Sequence, residues 1–284
     1  MAGRTISSIA STRVRLAYEL HRASKHDATT RLAKNTPVLF LHGFLGSKRE
    51  NRQMSRNLAK DLSRDVYALD LRNHGDSGHH PKHDYMEMAL DVESFIGQHG
   101  LEQPTLIGHS MGAKAALTLA LHSPKLVSSV VAVDNCPVNL PVASDFLKYL
   151  EGMAEAEQQQ VRTHAEADEV LRQFNLDPPV RLWLLSNFVK ENGSPYLRLR
   201  VPLGTLAKAM GPLGDFPYTN EDVKFRGRAL FLRALQSNFI PQSSFPLISH
   251  FFPHSRIVDM DCGHWIVQDK PEQFQEEVVN FLRN

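Results

Sequence analysis

A serine set between two glycines, in Gly108-His109-Ser110-Met111-Gly112, is the pattern with the most chemistry in this sequence. A serine hydroxyl is a weak nucleophile until a neighbouring base takes its proton. The spacing suits a sharp bend from strand into helix, with the hydroxyl at the tip and glycine on either side giving the bend room. With glycine near 7% of residues, a bare match arises by chance in roughly one chain in ten of this length, so context must decide. Thr105-Leu106-Ile107 reads as a strand running into the motif, and Met111–His122, rich in Ala and Leu, reads as the helix after it. The chemistry implied is acyl transfer through a serine ester.

That chemistry needs a base and an oxyanion site. Where a serine elbow of this kind is used, the triad follows the order Ser, acid, His. Among the 14 histidines, His264 stands between the last strand and the last helix, in Asp261-Cys262-Gly263-His264-Trp265, whereas His250 and His254 precede that strand. His42-Gly43-Phe44 ends an earlier strand. The loop there supplies one oxyanion N–H and the residue after the nucleophile supplies the other, which assigns these donors to Phe44 and Met111. His42 itself reads as a turn residue. Losing one such donor typically costs about 2.7–4 kcal/mol of transition-state stabilisation.

The acid is contested. Its usual place follows the strand at 229–232, but Ala234-Leu-Gln-Ser-Asn-Phe-Ile-Pro241 has no carboxylate, and Ser237 and Asn238 cannot offset an imidazolium. The end of the preceding core strand offers Asp134, in Val131-Ala-Val-Asp134-Asn135-Cys136-Pro137, expected to emerge at the same sheet edge as Ser110. Its alternative role is to cap or hold a loop. Asp261 and Asp70 are rivals; Asp261 is three residues from His264, and Asp70 suits a loop anchor before Arg72.

These residues require a scaffold, and the sequence alternates short apolar runs with helical stretches. Strands are expected at 14–20, 37–41, 66–70, 105–107, 127–133, 229–232 and 257–258. Helices are expected at 52–62, 85–99 capped by Asp84, 111–122 and 271–282 with Pro271 at its start. Such alternation implies an α/β fold with a mostly parallel sheet covered by helices on both faces. From Asn139 to about Phe225 the rhythm changes to amphipathic segments, Glu155–Phe174 and Val180–Val189. This stretch reads as a helical cap, 139–225, inserted in a single domain spanning 1–284. Within the cap, Phe188, Leu203, Leu206 and Met210 are candidates to line the acyl pocket, with packing in the core of the cap itself as the more ordinary role for each. Arg198 and Arg200 suit a solvated or salt-bridged segment, or a clamp for an acidic or CoA-bearing acyl donor.

Bulk properties narrow the function. The chain has 284 residues, 42% of them hydrophobic, enough for a substantial core. A net charge of +1 gives no basic stripe for nucleic acid, and no apolar run reaches the ~18 residues a membrane span needs. Cys136 and Cys262 do not suggest a disulfide scaffold, and strands separated by one other would hold them about 10 Å apart, beyond the ~7 Å Cα reach of a disulfide. His79, His80 and His83 lack the carboxylate pattern of a zincin and are interrupted by Pro81, so no metal is assigned. Met1–Ala17 carries Arg4, Arg13 and Arg15 among Ser and Thr with no acidic residue, a composition shared by mitochondrial targeting segments and ordinary termini.

Leu41-His-Gly-Phe-Leu-Gly-Ser47, Asp70-Leu-Arg-Asn-His-Gly-Asp-Ser77, Gly108-His-Ser-Met-Gly112, Asp134-Asn-Cys-Pro-Val138 and Gly263-His-Trp265 together resemble the abhydrolase domain-containing protein 11 group of the α/β-hydrolase superfamily, which includes the yeast ethanol acetyltransferases. The resemblance runs from about Val14 to Leu282, with Ala113 where relatives often carry Gly. It implies an eight-stranded-type sheet, the acid at Asp134, no cofactor, and mitochondrial residence. The function expected is a serine hydrolase cleaving a carboxylic or thio ester, with a small ester or acyl-CoA as substrate. An alcohol acyltransferase on the same triad is the alternative, and a non-catalytic partner of a mitochondrial enzyme complex is the third reading.

Overall fold

The alternation of side chains along each strand determines what the two faces of the sheet bury. The computed structural model describes residues 13–23, 36–141, 145–219 and 222–283; residues 1–12 of the expected targeting segment lie outside these. The first half of the chain gives β1 (Tyr18–His21), β2 (Val38–Leu41), α1 (Arg52–Leu62), β3 (Val66–Leu69), α2 (Tyr85–Gln98), β4 (Thr105–His109), α3 (Met111–His122) and β5 (Ser129–Val133). An excursion follows: α4 (Asp145–Gln158), α5 (His164–Arg172), α6 (Pro178–Leu185), β6 (Phe188–Lys190), β7 (Leu197–Leu199) and α7 (Leu203–Ala209). The chain returns with β8 (Arg228–Ala234), α8 (Phe245–Phe251), β9 (Ser255–Met260), α9 (Ile266–Asp269) and α10 (Pro271–Arg283).

The sheet order is β1-β3-β2-β4-β5-β8-β9, parallel throughout except for β1, which pairs antiparallel with β3. The described residues form seven strands in this sheet, one fewer than the eight-stranded scheme. In β2, Val38 and Phe40 pack with Met54 and Leu58 of α1 and Phe274 and Val278 of α10. Leu39 and Leu41 point into the other core, with Val92 of α2 and Leu117 of α3. All four β2 residues are buried, as a central parallel strand requires. Asp84 caps α2 as expected, its carboxylate accepting the Glu87 N–H at 2.9 Å.

Two departures fall in the excursion. Glu155–Phe174 is not one helical segment: Gln160 takes a left-handed φ of 55° and Thr163 starts α5 by accepting the Glu166 N–H. Val180–Val189 also divides, because the helix ends at Leu185 and Phe188–Lys190 pairs antiparallel with Leu197–Leu199. This hairpin breaks the all-helical expectation; Gly193, at φ 85°, lies in its connection. Cys136 and Cys262 are free thiols at the ends of β5 and β9, with β8 between them.

The loop after β3 is held by buried charge. Asp70 accepts the backbone N–H groups of Lys48 and Asp76 at 2.7 and 2.8 Å and pairs with the Lys48 ammonium. Gly75, at φ +56°, lies so close that a Cβ would meet the Asp70 carboxylate at 2.2 Å. The Arg72 guanidinium is fully buried and pairs with Asp91 at 2.6 and 2.9 Å and with Glu87 at 3.2 Å. Asp70 is thus a loop anchor. Removing one partner of a buried pair strands the other, at about 3–5 kcal/mol. Arg72→Met is therefore expected to lower unfolding stability by that amount in denaturant melts, and a loss below about 1 kcal/mol would contradict a structural role for the cluster.

Candidate active site

The serine elbow is built from absent side chains. Ser110 adopts φ 53° and ψ −115° between β4 and α3, a conformation that costs about 1–3 kcal/mol unless its surroundings enforce it. A Cβ on Gly108 would lie 2.2 Å from the Gly112 carbonyl oxygen, and one on Gly112 would lie 2.4 Å from that of Leu41. Helix α3 can therefore press against the end of β2 only with glycine at 112, and fold back on the end of β4 only with glycine at 108. The Ser110 N–H donates to Val133 O at 2.9 Å, and the Asn135 side-chain amide donates to Ser110 O at 3.2 Å, tying the bend to the end of β5.

Asp134 follows β5 in a left-handed conformation, φ 45°, which Asp tolerates better than most residues. It is fully buried. One carboxylate oxygen accepts the Ala234 N–H at 3.1 Å and the other lies 2.7 Å from His264 Nδ1. That partner keeps the proton on Nδ1 and leaves Nε2 as the basic nitrogen. Asp261 is instead exposed and accepts from the Gln236 amide at 3.0 Å. The stretch without a carboxylate, 234–241, contributes Phe239, whose ring stacks on His264 at 4.3 Å between centroids.

Neutral histidines brace the surrounding loops. His42 Nε2 accepts the Leu71 N–H at 3.0 Å, so its Nδ1–H donates to Gly43 O at 2.7 Å. His74 Nε2 accepts the Leu45 N–H at 3.0 Å, and its Nδ1–H donates to Arg72 O. His109 donates from Nε2 to the His264 carbonyl at 2.9 Å and packs against Gly43, where a Cβ would sit 3.1 Å from its Nδ1. Burial pushes all three imidazoles below their usual range, His109 to about 3, so they remain neutral and can each use one ring nitrogen as acceptor. His109 thus positions the His264 loop, a role that the variable place in the serine motif does not signal.

Ser110 lines a cavity with Phe44, Tyr85, Met111, Lys114, Asn135, Leu140, Phe146, Leu213 and Phe239. Phe44 and Met111 therefore lie beside the serine. Met111 opens α3, so its N–H is among the four first-turn donors without an intrahelical acceptor. Phe188, Leu203, Leu206 and Met210, candidates for this lining, are not among those residues and take the core-packing role instead. Phe188 and Leu206 are buried, and Leu203 and Met210 pack against the same apolar cluster, because their side chains fill the core of the excursion itself. Leu140, Phe146 and Leu213, nearer its two ends, take the lining positions. Arg198 pairs with Glu191 and Arg200 with Asp76, as a salt-bridged segment would.

The excursion is fastened close to the site. The Tyr85 hydroxyl donates to Leu213 O at 2.8 Å, the Asn187 amide to Leu45 O at 2.9 Å, and the Trp183 indole to Glu50 at 3.0 Å. Burial pushes the Glu50 carboxyl up to about 7, against the lowering effect of the Trp183 hydrogen bond. A raised carboxyl makes the native state hold a proton that the unfolded chain has lost. Ionising Glu50 therefore removes stability as pH rises from 4.5 to about 7, and nothing is lost below that window.

Comparison with known proteins matches the family described as alpha/beta hydrolase fold over residues 36–271. The chain is 39% identical to abhydrolase domain-containing protein C22H12.03 of Schizosaccharomyces pombe, over 95% of this chain and 98% of that protein. It is 38% identical to a probable alcohol acetyltransferase of Saccharomyces cerevisiae, over 87% and 77%. It is 34% identical to the sn-1-specific diacylglycerol lipase ABHD11 of Xenopus laevis, over 95% and 85%. Among solved structures, a marine microorganism esterase superposes with a TM-score of 0.81 at 26% identity, covering 94% of this chain and 99% of that one.

The Glu50 environment gives a direct test. Glu50→Gln is expected to be more stable than the native chain at pH 8 by about 1–3 kcal/mol, since each tenfold change in a proton-binding constant is worth about 1.4 kcal/mol. The gap should shrink toward zero below about pH 4 in denaturant melts, where both native and unfolded chains approach the protonated form. A gap independent of pH would contradict the buried-carboxyl account.

Proposed function

The chain belongs to the α/β-hydrolase family, and from that premise we propose that it is a serine ester hydrolase with Ser110 as nucleophile, His264 as base and Asp134 as the acid that orients it. The observation that carries this reading is the buried Asp134 carboxylate 2.7 Å from His264 Nδ1, next to a cavity that Ser110 lines. His264 Nε2 takes the Ser110 proton as Oγ attacks the acyl carbonyl carbon. The N–H groups of Phe44 and Met111 receive the oxyanion. The imidazolium, stabilised by Asp134, then protonates the departing alcohol or thiol. Water, deprotonated by His264, attacks the Ser110 ester; the carboxylic acid leaves and the hydroxyl is restored. Residues 139–225 act as the cap over this reaction.

The named activities of relatives support ester chemistry: a lipase and an acetyltransferase among them, and an esterase among solved structures. The acetyltransferase relative also favours a second reading, in which an alcohol resolves the acyl-enzyme in place of water. Both use the same residues and differ in which acceptor reaches the ester. Mitochondrial residence is proposed on the resemblance of the chain to its group, and a C-terminally tagged protein is expected in the mitochondrial fraction; recovery from the cytosol alone would refute it.

A fluorophosphonate probe is expected to label the native protein and not Ser110→Ala. Ser110→Ala should reduce kcat on short-chain esters by about 10⁴ or more, and Asp134→Asn should reduce it by about 10⁴ while retaining the fold. No labelling of native protein would overturn the enzymatic reading and favour a non-catalytic partner. With acetyl-CoA and ethanol, the ratio of ethyl acetate to acetate separates transfer from hydrolysis.

A further inference from the structure

One group in the Ser110 cavity has no part in the chemistry above. Lys114 is one helical turn beyond Ser110, about 5.4 Å along the axis, and its side chain lines the same cavity while being 1% exposed. Every other wall residue is apolar or neutral: Phe44, Met111, Leu140, Phe146, Leu213 and Phe239 dominate. The ammonium donates to Gly214 O at 3.2 Å and Asp215 O at 3.1 Å and lies 5.2 Å from the centre of the Tyr85 ring. Those contacts occupy two of its three donors.

Among the described residues, no carboxylate forms an ion pair with Lys114. No carboxylate among these residues touches the ammonium, and the Asp215 charge reaches it only through space. The Cys136 thiol, pushed up to about 11 by burial, is neutral, and the Asp215 side chain is exposed. Burial pushes Lys114 itself down to about 8, so it remains mainly protonated at neutral pH. An unpaired cation beside an apolar cavity is expensive. A bound anion with an apolar spacer would relieve that cost.

We propose that Lys114 selects the acyl group: the cavity takes short acyl chains whose far carbon carries a carboxylate, the methylenes against Leu140, Phe146 and Leu213 and the carboxylate on the Lys114 ammonium. This rests on Ser110 being the nucleophile and names the substrate class of that same site, a half-ester or half-thioester of a short dicarboxylic acid. The bond cleaved is the single acyl–oxygen or acyl–sulfur bond at the end of the chain away from Lys114; the alcohol or thiol leaves, and water supplies the hydroxyl of the released diacid.

Matched pairs of ethyl esters test this: monoethyl glutarate against ethyl valerate, and monoethyl adipate against ethyl hexanoate. At about pH 7 the native enzyme should show a higher kcat/KM for the carboxylated member of at least one pair. Lys114→Met, isosteric and uncharged, should lower that ratio at least tenfold. A native ratio at or below one in both pairs overturns the proposal while leaving the hydrolase reading intact. So does an unchanged ratio in Lys114→Met, since a residue that only fastens the Gly214 loop would alter stability and not selectivity. Should Lys114→Met fail to fold, the native ratio decides, together with whether adipate inhibits more strongly than hexanoate. Turnover of neither series, with no fluorophosphonate labelling, overturns both readings.

Discussion

Helix α3 and the end of β2 approach each other more closely than side chains allow, and the rest of the site follows from that contact. Gly112 has the Leu41 and His42 carbonyls where its Cβ would be, and Gly108 has the Gly112 backbone. The approach forces Ser110 into a positive φ, which lifts its hydroxyl into the cavity and turns its N–H back to Val133. It also sets Met111 at the helix start, with Phe44 on the same cavity wall. The strain at Ser110 is sustained because strands β4, β2 and β5 all hold the same bend.

Around this bend the protein uses charge sparingly. His42 and His74 are buried and neutral, each acting as a two-ended linker between backbone segments in place of a proton carrier, and His109 ties its strand to the His264 carbonyl through one bond. His264 differs in one respect: a carboxylate faces its Nδ1. Imidazoles of identical intrinsic chemistry thus differ by whether an anion stands behind the ring. The Asp70 and Arg72 clusters play the corresponding part for the loop after β3, where opposite charges satisfy each other and hold the chain.

Much of this is legible in residue types and spacing. The core strands and principal helices follow from apolar runs and from caps such as Asp84, and the serine bend follows from its flanking glycines. His264 is reached by its place in the chain, and Asp134 by the missing carboxylate in 234–241 together with resemblance. What escapes the sequence is lateral. Phe188, Leu203, Leu206 and Met210 are apolar as pocket residues must be, but sequence periodicity does not say whether an apolar face turns to the cavity or inward on its own subdomain. Phe239 lies in a stretch whose signal is a missing acid, and nothing in its spacing marks the ring. Lys114 is hidden in an Ala- and Leu-rich helix, where a lysine ordinarily reads as a solvent-facing position. The β6–β7 hairpin escapes because three-residue strands carry too little alternation to register.

Beside the side-chain pairs Trp183–Glu50 and Arg200–Asp76, several fastenings between the excursion and the core have side chains of one unit gripping main-chain oxygens of the other. Tyr85 holds Leu213, Lys114 holds Gly214 and Asp215, and Asn187 holds Leu45. A carbonyl is present whatever residue bears it, so the gripped loops can change their side chains freely without loosening the joint. The roof above the serine is thereby uncoupled from its hinges in mutational terms. A lineage carrying this framework can explore new substrates by altering 211–216 while inheriting the attachment unchanged.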